Sequence, residues 1–262
     1  MKFCSLYSGS SGNCSYLEDG DTKILIDAGV SGKRIEENLK KIQVNPQELT
    51  GLFLSHDHID HTKGAGVLSR RYNIPIYANG GTWNAASTCL GKIRSENRVV
   101  FASDKELILN GLSILPFSIS HDAGEPVGFS ITNGKNKISI VTDTGEINGS
   151  IMKRIENSDL AVIESNHDVD MLKAGPYPYP LKRRILGDKG HLSNEVAASA
   201  ILELVEKGLR RVLLAHLSDE NNFPELAFET TSSLLTKNKI KIQKDVTLEV
   251  ASRFTPSTVF SF

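Results

Sequence analysis

Leu52-Phe53-Leu54-Ser55-His56-Asp57-His58-Ile59-Asp60-His61 is the stretch whose reading decides the fold. Its opening apolar run has the character of a buried strand and stops where the histidines begin. Residues 56–61 then hold three imidazoles and two carboxylates. A loop delivered by a buried strand starts from a rigid base, which is what a set of ligands needs. Neutral imidazole nitrogen and carboxylate oxygen suit zinc, manganese or iron. So many donors in so short a loop cannot share one tetrahedral ion. The natural division gives His56 and His58 to one ion and Asp60 and His61 to a second. The alternative, a polar loop rich in histidine by chance, is disfavoured by the spacing and by the strand before it.

The rest of the composition is unremarkable around this loop. A chain of 262 residues with 39% hydrophobic content can build one large core or two fused halves, and the reading is a single domain over 1–262. A formal net charge of −1 gives no whole-molecule attraction to nucleic acid, so any polyanion must be met by a local patch. Cys4, Cys14 and Cys89 follow no metal spacing and read as packed or free thiols. The first residues lack a long apolar core of the signal-peptide kind, and no segment has membrane-spanning length. The expectation is a cytoplasmic protein with no membrane partner.

Histidine placement carries more information. His56, His58, His61, His121, His167, His191 and His216 all follow or border apolar strand patterns rather than interrupting them. Upstream of the loop, two strands over 2–7 and 14–18 flank Ser8-Gly9-Ser10-Ser11-Gly12-Asn13, either an anion-cradling nest or a plain hairpin connection. The strand Lys23–Gly29 carries Asp27 near its end. A helix opens after Ser31 and runs to about Gln43. Downstream, 98–141 is rich in strands, with His121 after the third of them and Asp143 after the fifth. The last third alternates: helix 149–157, buried strand 160–164, helix 193–207, strand 211–215 ending at His216, helix 223–236, strand 246–250. Strands, then helix, then many strands, then alternation fits two sheets packed face to face with helices outside.

His56-x-His58-x-Asp60-His61 resembles the signature of the metallo-β-lactamase fold hydrolases. The resemblance implies an α/β fold, a four-layer αββα sandwich of two mixed sheets with outer helices. It assigns His56, His58 and His121 to one divalent ion, and Asp60, His61 and His216 to the other. Asp143 bridges them, and Asp27 orients the loop without being a ligand. Two such ions, zinc or manganese and about 3.5–4 Å apart, would hold a hydroxide as nucleophile. Gly190-His191-Leu192-Ser193 resembles an element of the phosphodiesterase branch, which includes the tRNA-processing endonucleases. There the histidine protonates the leaving oxygen or clamps a phosphate oxygen, and Ser193 stands at a helix N-terminus that favours an anion. His167, with Asn166 beside it, either contacts a phosphate or caps the following turn.

With Ser-Gly-Ser-Ser-Gly-Asn near the start, Ser-His-Asp-Ala, Glu-Ser-Asn-His-Asp and Asp-Lys-Gly-His-Leu-Ser-Asn, the whole chain resembles the YycJ/WalJ branch. That implies a cytoplasmic, metal-dependent exonuclease acting on DNA from the 5′ end. No stretch is long enough for the inserted domain of large RNA-processing relatives. The interval 143–216 lacks the protruding arm of the tRNA-processing ones. The segment 174–184, with three prolines, two tyrosines and three consecutive bases, reads as extended. It either leads a nucleic-acid strand toward the metals or is a rigid basic surface connection. Competing functions are a hydrolase of a small phosphodiester or (thio)ester, a non-catalytic metal-stabilised module, and a di-iron redox protein. Within the first, Gly-His-Leu-Ser speaks for a phosphate substrate over a lactam. The full ligand set and His191 speak against the second. The lack of a flavin-binding appendage speaks against the third.

Overall fold

The computed structural model describes all residues, 1–262. The chain gathers into two compact units, 1–116 with 123–127 and 252–262, and 117–122 with 128–251. In the first unit, β1 (Lys2–Tyr7), β2 (Cys14–Asp19) and β3 (Thr22–Ile26) form an antiparallel meander. Helix α1 (Gly32–Lys41) crosses to β4 (Gly51–Phe53), which pairs parallel with β3. Ser31 occupies the N-cap position of α1 but makes no side-chain cap hydrogen bond. The short α2 (Ile59–Thr62) and α3 (Ala65–Tyr72) lead to β5 (Ile76–Ala78), and α4 (Gly80–Ala85) and α5 (Ser87–Leu90) lead to β6 (Arg98–Val100). β5 and β6 extend the sheet in parallel, and a hairpin of β7 (Leu107–Leu109) and β8 (Leu112–Ser118) follows.

The second unit starts with β9 (Val127–Thr132), antiparallel to β10 (Lys137–Val141). Then α6 (Gly149–Ile155), β11 (Leu160–Glu164), α7 (Val169–Ala174), α8 (Tyr179–Ile185), α9 (Asn194–Glu206), β12 (Arg211–Ala215), α10 (Pro224–Lys237) and β13 (Thr247–Val250) alternate. β10, β11, β12 and β13 pair in parallel. Parallel strands covered on both faces read as continuous apolar runs, and Leu160–Glu164 is buried at every position. Back in the first unit, β14 (Phe260–Ser261), which the sequence did not reveal, pairs with β1. Each unit has its own apolar core. One is built on residues such as Leu25, Leu52, Leu68 and Trp83, the other on Ile163, Ile201, Leu214 and Leu248.

The result is an α/β fold of two mixed sheets flanked by helices, the fold class expected from the sequence. One reading needs correction. Residues 174–184 are not extended: α7 and α8 account for most of them. Pro178 is the N-cap of α8 and a proline sits in its first turn, where the missing N–H costs nothing and the fixed φ suits a helix. No helix is long and apolar enough to cross a membrane.

Candidate active site

In the first unit, β4 delivers the loop 54–58 and α2 carries Asp60 and His61. Three backbone hydrogen bonds staple the loop and α2 to the chain before them: Asp27 N to Phe53 O, Ala28 N to His61 O and Asn13 N to Asp60 O. The packing is so close that a Cβ on Gly29 would fall 1.6 Å from the Asp60 carbonyl oxygen. Asp27 accepts from Ser55 N and Ser55 Oγ, each at 2.8 Å, and from His61 Nδ1 at 2.8 Å. A carboxylate on Nδ1 fixes the tautomer and leaves the lone pair on Nε2. That nitrogen lies 3.6 Å from Asp60 Oδ2. His56 and His61 are fully buried, their ring centroids 4.1 Å apart, and the His56 and His58 centroids are 4.7 Å apart. The four expected donors of this loop therefore cluster, with the Asp27 carboxylate hydrogen-bonded to His61 and Ser55 beneath them.

In the second unit, three strand ends converge. Asp143 follows β10, Glu164 ends β11 and His216 follows β12. Asp143, Glu164, His191 and His216 each offer an atom within 4.8 Å of the others. Asp143 Oδ2 is 2.8 Å from His216 Nδ1, and Asp143 Oδ1 is 3.9 Å from His121 Nε2. His121 Nδ1 faces the carbonyls of Lys189 (3.2 Å) and Gly190 (3.1 Å), so Nδ1 carries the proton and the lone pair is on Nε2. Asp27, Asp143 and His216 all hold a positive φ, at 61°, 58° and 55°. A non-glycine residue in that region costs about 1–3 kcal/mol, and such conformations gather at functional sites. Asn166 holds the turn at His216 by donating from Nδ2 to the His216 carbonyl at 2.9 Å.

Glu164 was read in the sequence only as a strand end. It proves to be buried and fully engaged. Oε1 is 2.8 Å from His191 Nδ1, and Oε2 accepts from Leu192 N and Thr144 N at 3.1 and 3.2 Å. Burial pulls the His191 pKa down. The charge and hydrogen bond of Glu164, with help from Asp143, outweigh that and Arg184's opposition and raise it to about 9. The His191 ring sits 5.1 Å from that of His121 and 5.4 Å from that of His216. The signal in the sequence was an acid closing an otherwise apolar five-residue strand, a place where a carboxylate must find several partners.

The remaining residues singled out from sequence take quieter positions. Ser193 is the N-cap of α9, its Oγ accepting from Val196 N at 3.3 Å. His167 is buried, with its backbone in a bridge to Ser193, and neither ring nitrogen has a hydrogen-bond partner. In the basic segment, Lys182 Nζ is tied to the carbonyls of Lys173 and Gly175, and the Arg184 guanidinium holds Asp122, the neighbour of His121. Tyr179 is 73% exposed.

Comparison with known proteins places the chain in a family. A family model described as a β-lactamase superfamily domain matches residues 22–217. An exodeoxyribonuclease YycJ from Bacillus anthracis is 40% identical over 235 residues, covering 90% of this chain and 89% of that protein. An exodeoxyribonuclease WalJ from Streptococcus pneumoniae serotype 2 is 39% identical over 247 residues, covering 94% and 92%. Among solved structures, the metallo-β-lactamase fold protein YhfI from Bacillus subtilis superposes with a TM-score of 0.71 at 17% identity, covering 98% of this chain and 99% of that one. The chain belongs to the metallo-β-lactamase superfamily of hydrolases, with curated relatives that match it nearly end to end.

Proposed function

We propose that this protein is a binuclear metal-dependent phosphodiesterase that degrades DNA exonucleolytically from the 5′ end in the cytoplasm. The two units would act as one catalytic domain, since each carries only part of the ligand set. The observation that supports it most is the Glu164–His191 pair set beside Asp143 and His216: a cationic, carboxylate-backed imidazole next to metal-ligating side chains. The two exodeoxyribonuclease relatives supply the substrate class.

The donor set fits a pair of divalent ions, zinc or manganese. Imidazole nitrogens and carboxylate oxygens are the right chemistry, and Asp27 and the Lys189 and Gly190 carbonyls fix the tautomers of His61 and His121 so that Nε2 of each is the donor. His56, His58 and His121 would hold one ion, Asp60, His61 and His216 the other, and Asp143 both. When bound, the ions supply a water that is nucleophilic at neutral pH and neutralise charge on the attacked phosphoryl group.

The chain's own residues would do the rest. His191, kept protonated by Glu164, donates its Nε2 proton to the leaving 3′ oxygen as the phosphodiester bond breaks. Glu164 stays a carboxylate throughout, anchored by the Leu192 and Thr144 amides, and holds the ring at the correct angle. Ser193 fixes the start of α9 and with it the turn that carries His191. His167 and Asn166 would line the phosphate path behind it.

The test is a gel assay of the protein reconstituted with manganese or zinc on 5′-phosphorylated single- and double-stranded DNA, with Asp143→Ala as control. Progressive shortening from the 5′ end, absent in the control, is the expected result. Intact DNA beside hydrolysis of a small phosphodiester in the same tubes would replace this reading with the small-substrate one.

A further inference from the structure

Residues 173–189 hold five bases and one acid, in a chain whose formal net charge is −1. Two of those bases are already committed. Lys182 Nζ donates to the carbonyls of Lys173 and Gly175 at 2.6 and 2.7 Å, which closes the end of α7, and the Arg184 guanidinium holds Asp122. Arg183, within α8, and Lys189, just beyond it, are exposed and make no side-chain hydrogen bond or ion pair. Burial also sorts α8 by face. Ile185 is buried, whereas Tyr179 is 73% exposed, Leu186 is 44% exposed and Arg183 is exposed with them. Positions i, i+4 and i+7 of a helix share a face. A tyrosine, an arginine and a leucine therefore form one row on the solvent side. Pro178 and Pro180 flank Tyr179 with fixed φ, so the ring is carried on a stiff first turn.

The row leads to the candidate site. His191 N donates to the Ile185 carbonyl at 3.0 Å and Gly190 N to that of Gly187 at 2.7 Å, so the last turn of α8 and the turn holding His191 are one hydrogen-bonded piece. A Cβ on Gly190 would fall 2.1 Å from the Ile185 carbonyl oxygen, which shows how closely the two are packed. The Lys189 carbonyl faces His121 Nδ1 at 3.2 Å, so the Lys189 side chain starts from a backbone position next to the His121–His191 pair.

We propose that this face of α8, with Lys189, is a track for a single strand of DNA: Tyr179 stacks on a base, and Arg183 and Lys189 meet backbone phosphates. The track rests on the exonuclease reading above and adds to it the form of DNA that enters. Unpaired cations select a polyanion as the occupant. The exposed ring selects a single strand, because bases inside a duplex are stacked on one another and offer no free face to a protein aromatic. From Tyr179 to Ile185 the helix rises about 9 Å. Phosphates of a stacked strand advance about 3.4 Å each, so the track holds two or three of them.

Binding is measured by fluorescence anisotropy on full-length, manganese-loaded protein over a series of salt concentrations. The probe is a labelled, 5′-phosphorylated oligonucleotide whose phosphorothioate linkages resist cleavage, alone and annealed to its complement. Wild type is expected to bind the single strand more tightly than the duplex. Combining Arg183→Gln with Lys189→Gln removes two cations and lowers the salt slope of log K by about 1.4, at about 0.7 per phosphate contact of a single strand. Tyr179→Ala leaves that slope unchanged, weakens single-strand binding about 5-fold or more and narrows the preference over duplex. Tyr179→Phe keeps the ring and restores both. Thermal midpoints stay near wild type, since all three side chains are exposed. Wild-type affinity and slope in the double variant overturn the proposal, as does wild-type binding by Tyr179→Ala or tighter binding of the duplex by wild type. So does a changed oligomeric state of these variants in sedimentation velocity with DNA binding intact, which would make the face a contact between copies of this chain. If the wild-type protein neither binds nor shortens DNA, the exonuclease reading itself fails. If it does both and the variants match it, the track alone fails.

Discussion

Glu164 holds His191 from below: Oε1 stands 2.8 Å from His191 Nδ1, while Oε2 is pinned by the Leu192 and Thr144 amides. The pairing joins the end of β11 to the turn before α9, so a strand and a helix together aim one imidazole. Because the carboxylate cannot turn away, its charge is committed to that ring, and this holds the imidazolium up to a pKa of about 9 against the cost of burial. Glu164→Gln keeps the shape and the hydrogen-bond reach but removes the charge. We expect His191 to titrate near neutrality or below in this variant. The NMR titration of its ring in chelator-treated protein measures that. In the loaded enzyme, kcat falls by about 10²-fold at neutral pH as the acid form is lost. An unchanged titration would mean that Glu164 is not what raises His191.

Asp143 and His191 lie in one cluster, and substitution separates the ligand role proposed for the first from the acid role proposed for the second. Asp143→Ala removes the carboxylate beside His121 and His216, and on the proposed reading we expect bound metal to fall from two ions toward none. His191→Ala removes none of the proposed ligands, so we expect metal content to stay at wild type while turnover on DNA drops by about 10²- to 10⁴-fold, the usual reach of a positioned acid. Metal analysis by mass spectrometry, read beside the gel assay, checks both. Full turnover by His191→Ala on every phosphodiester would remove it from the reaction.

Asp27 acts through His61. With Nδ1 of that ring anchored by a buried carboxylate, Nε2 is both aimed and made more basic. Asp27→Asn can still hydrogen-bond Ser55 but no longer stabilises the tautomer. We expect metal affinity to fall about 10- to 100-fold, with the fold retained, as measured by competition with a chromogenic chelator. An unchanged affinity would reduce Asp27 to a turn residue.

Much of this was legible in the sequence, for a physical reason. Parallel strands buried on both faces are largely apolar, so a candidate site residue at the strand end appears as an abrupt switch from hydrophobic to His or Asp. That switch marked His56, Asp143 and His216, and it also lay at Glu164, where it was passed over. What stayed hidden depends on distant partners. Glu164 and His191 are 27 residues apart, and Asn13 and His61 are 48 apart. No local pattern announces either pair. The positive φ of Asp27, Asp143 and His216 is equally silent, since Asp and His tolerate that region without requiring it. The prolines of 176–180 misled because proline suits both an extended segment and the first turn of a helix; the structure takes the second use in α8.

His167 offers a stability test that also bears on its function. Both ring nitrogens are buried without a hydrogen-bond partner, and each such group costs about 1–3 kcal/mol. Burial pulls its pKa from 6.5 to about 4, with His191 adding to the effect and Glu164, Glu195 and Asp168 opposing it. The sign follows from which state takes the proton. Between pH 6.5 and 4 the unfolded chain protonates this histidine and the folded one does not, so stability is lost as pH falls through that window. The full loss is roughly 3 kcal/mol. His167→Leu replaces the ring with an apolar group of similar bulk. We expect it to be at least as stable as wild type at pH 7 and to lose less stability between pH 7 and pH 5, as read from urea unfolding at the two values. If His167 also contacts substrate phosphate, the same variant shows a raised KM on DNA despite its greater stability. A variant less stable at pH 7, with the wild-type pH slope, would show that the ring finds partners in solution and that burial does not hold it neutral.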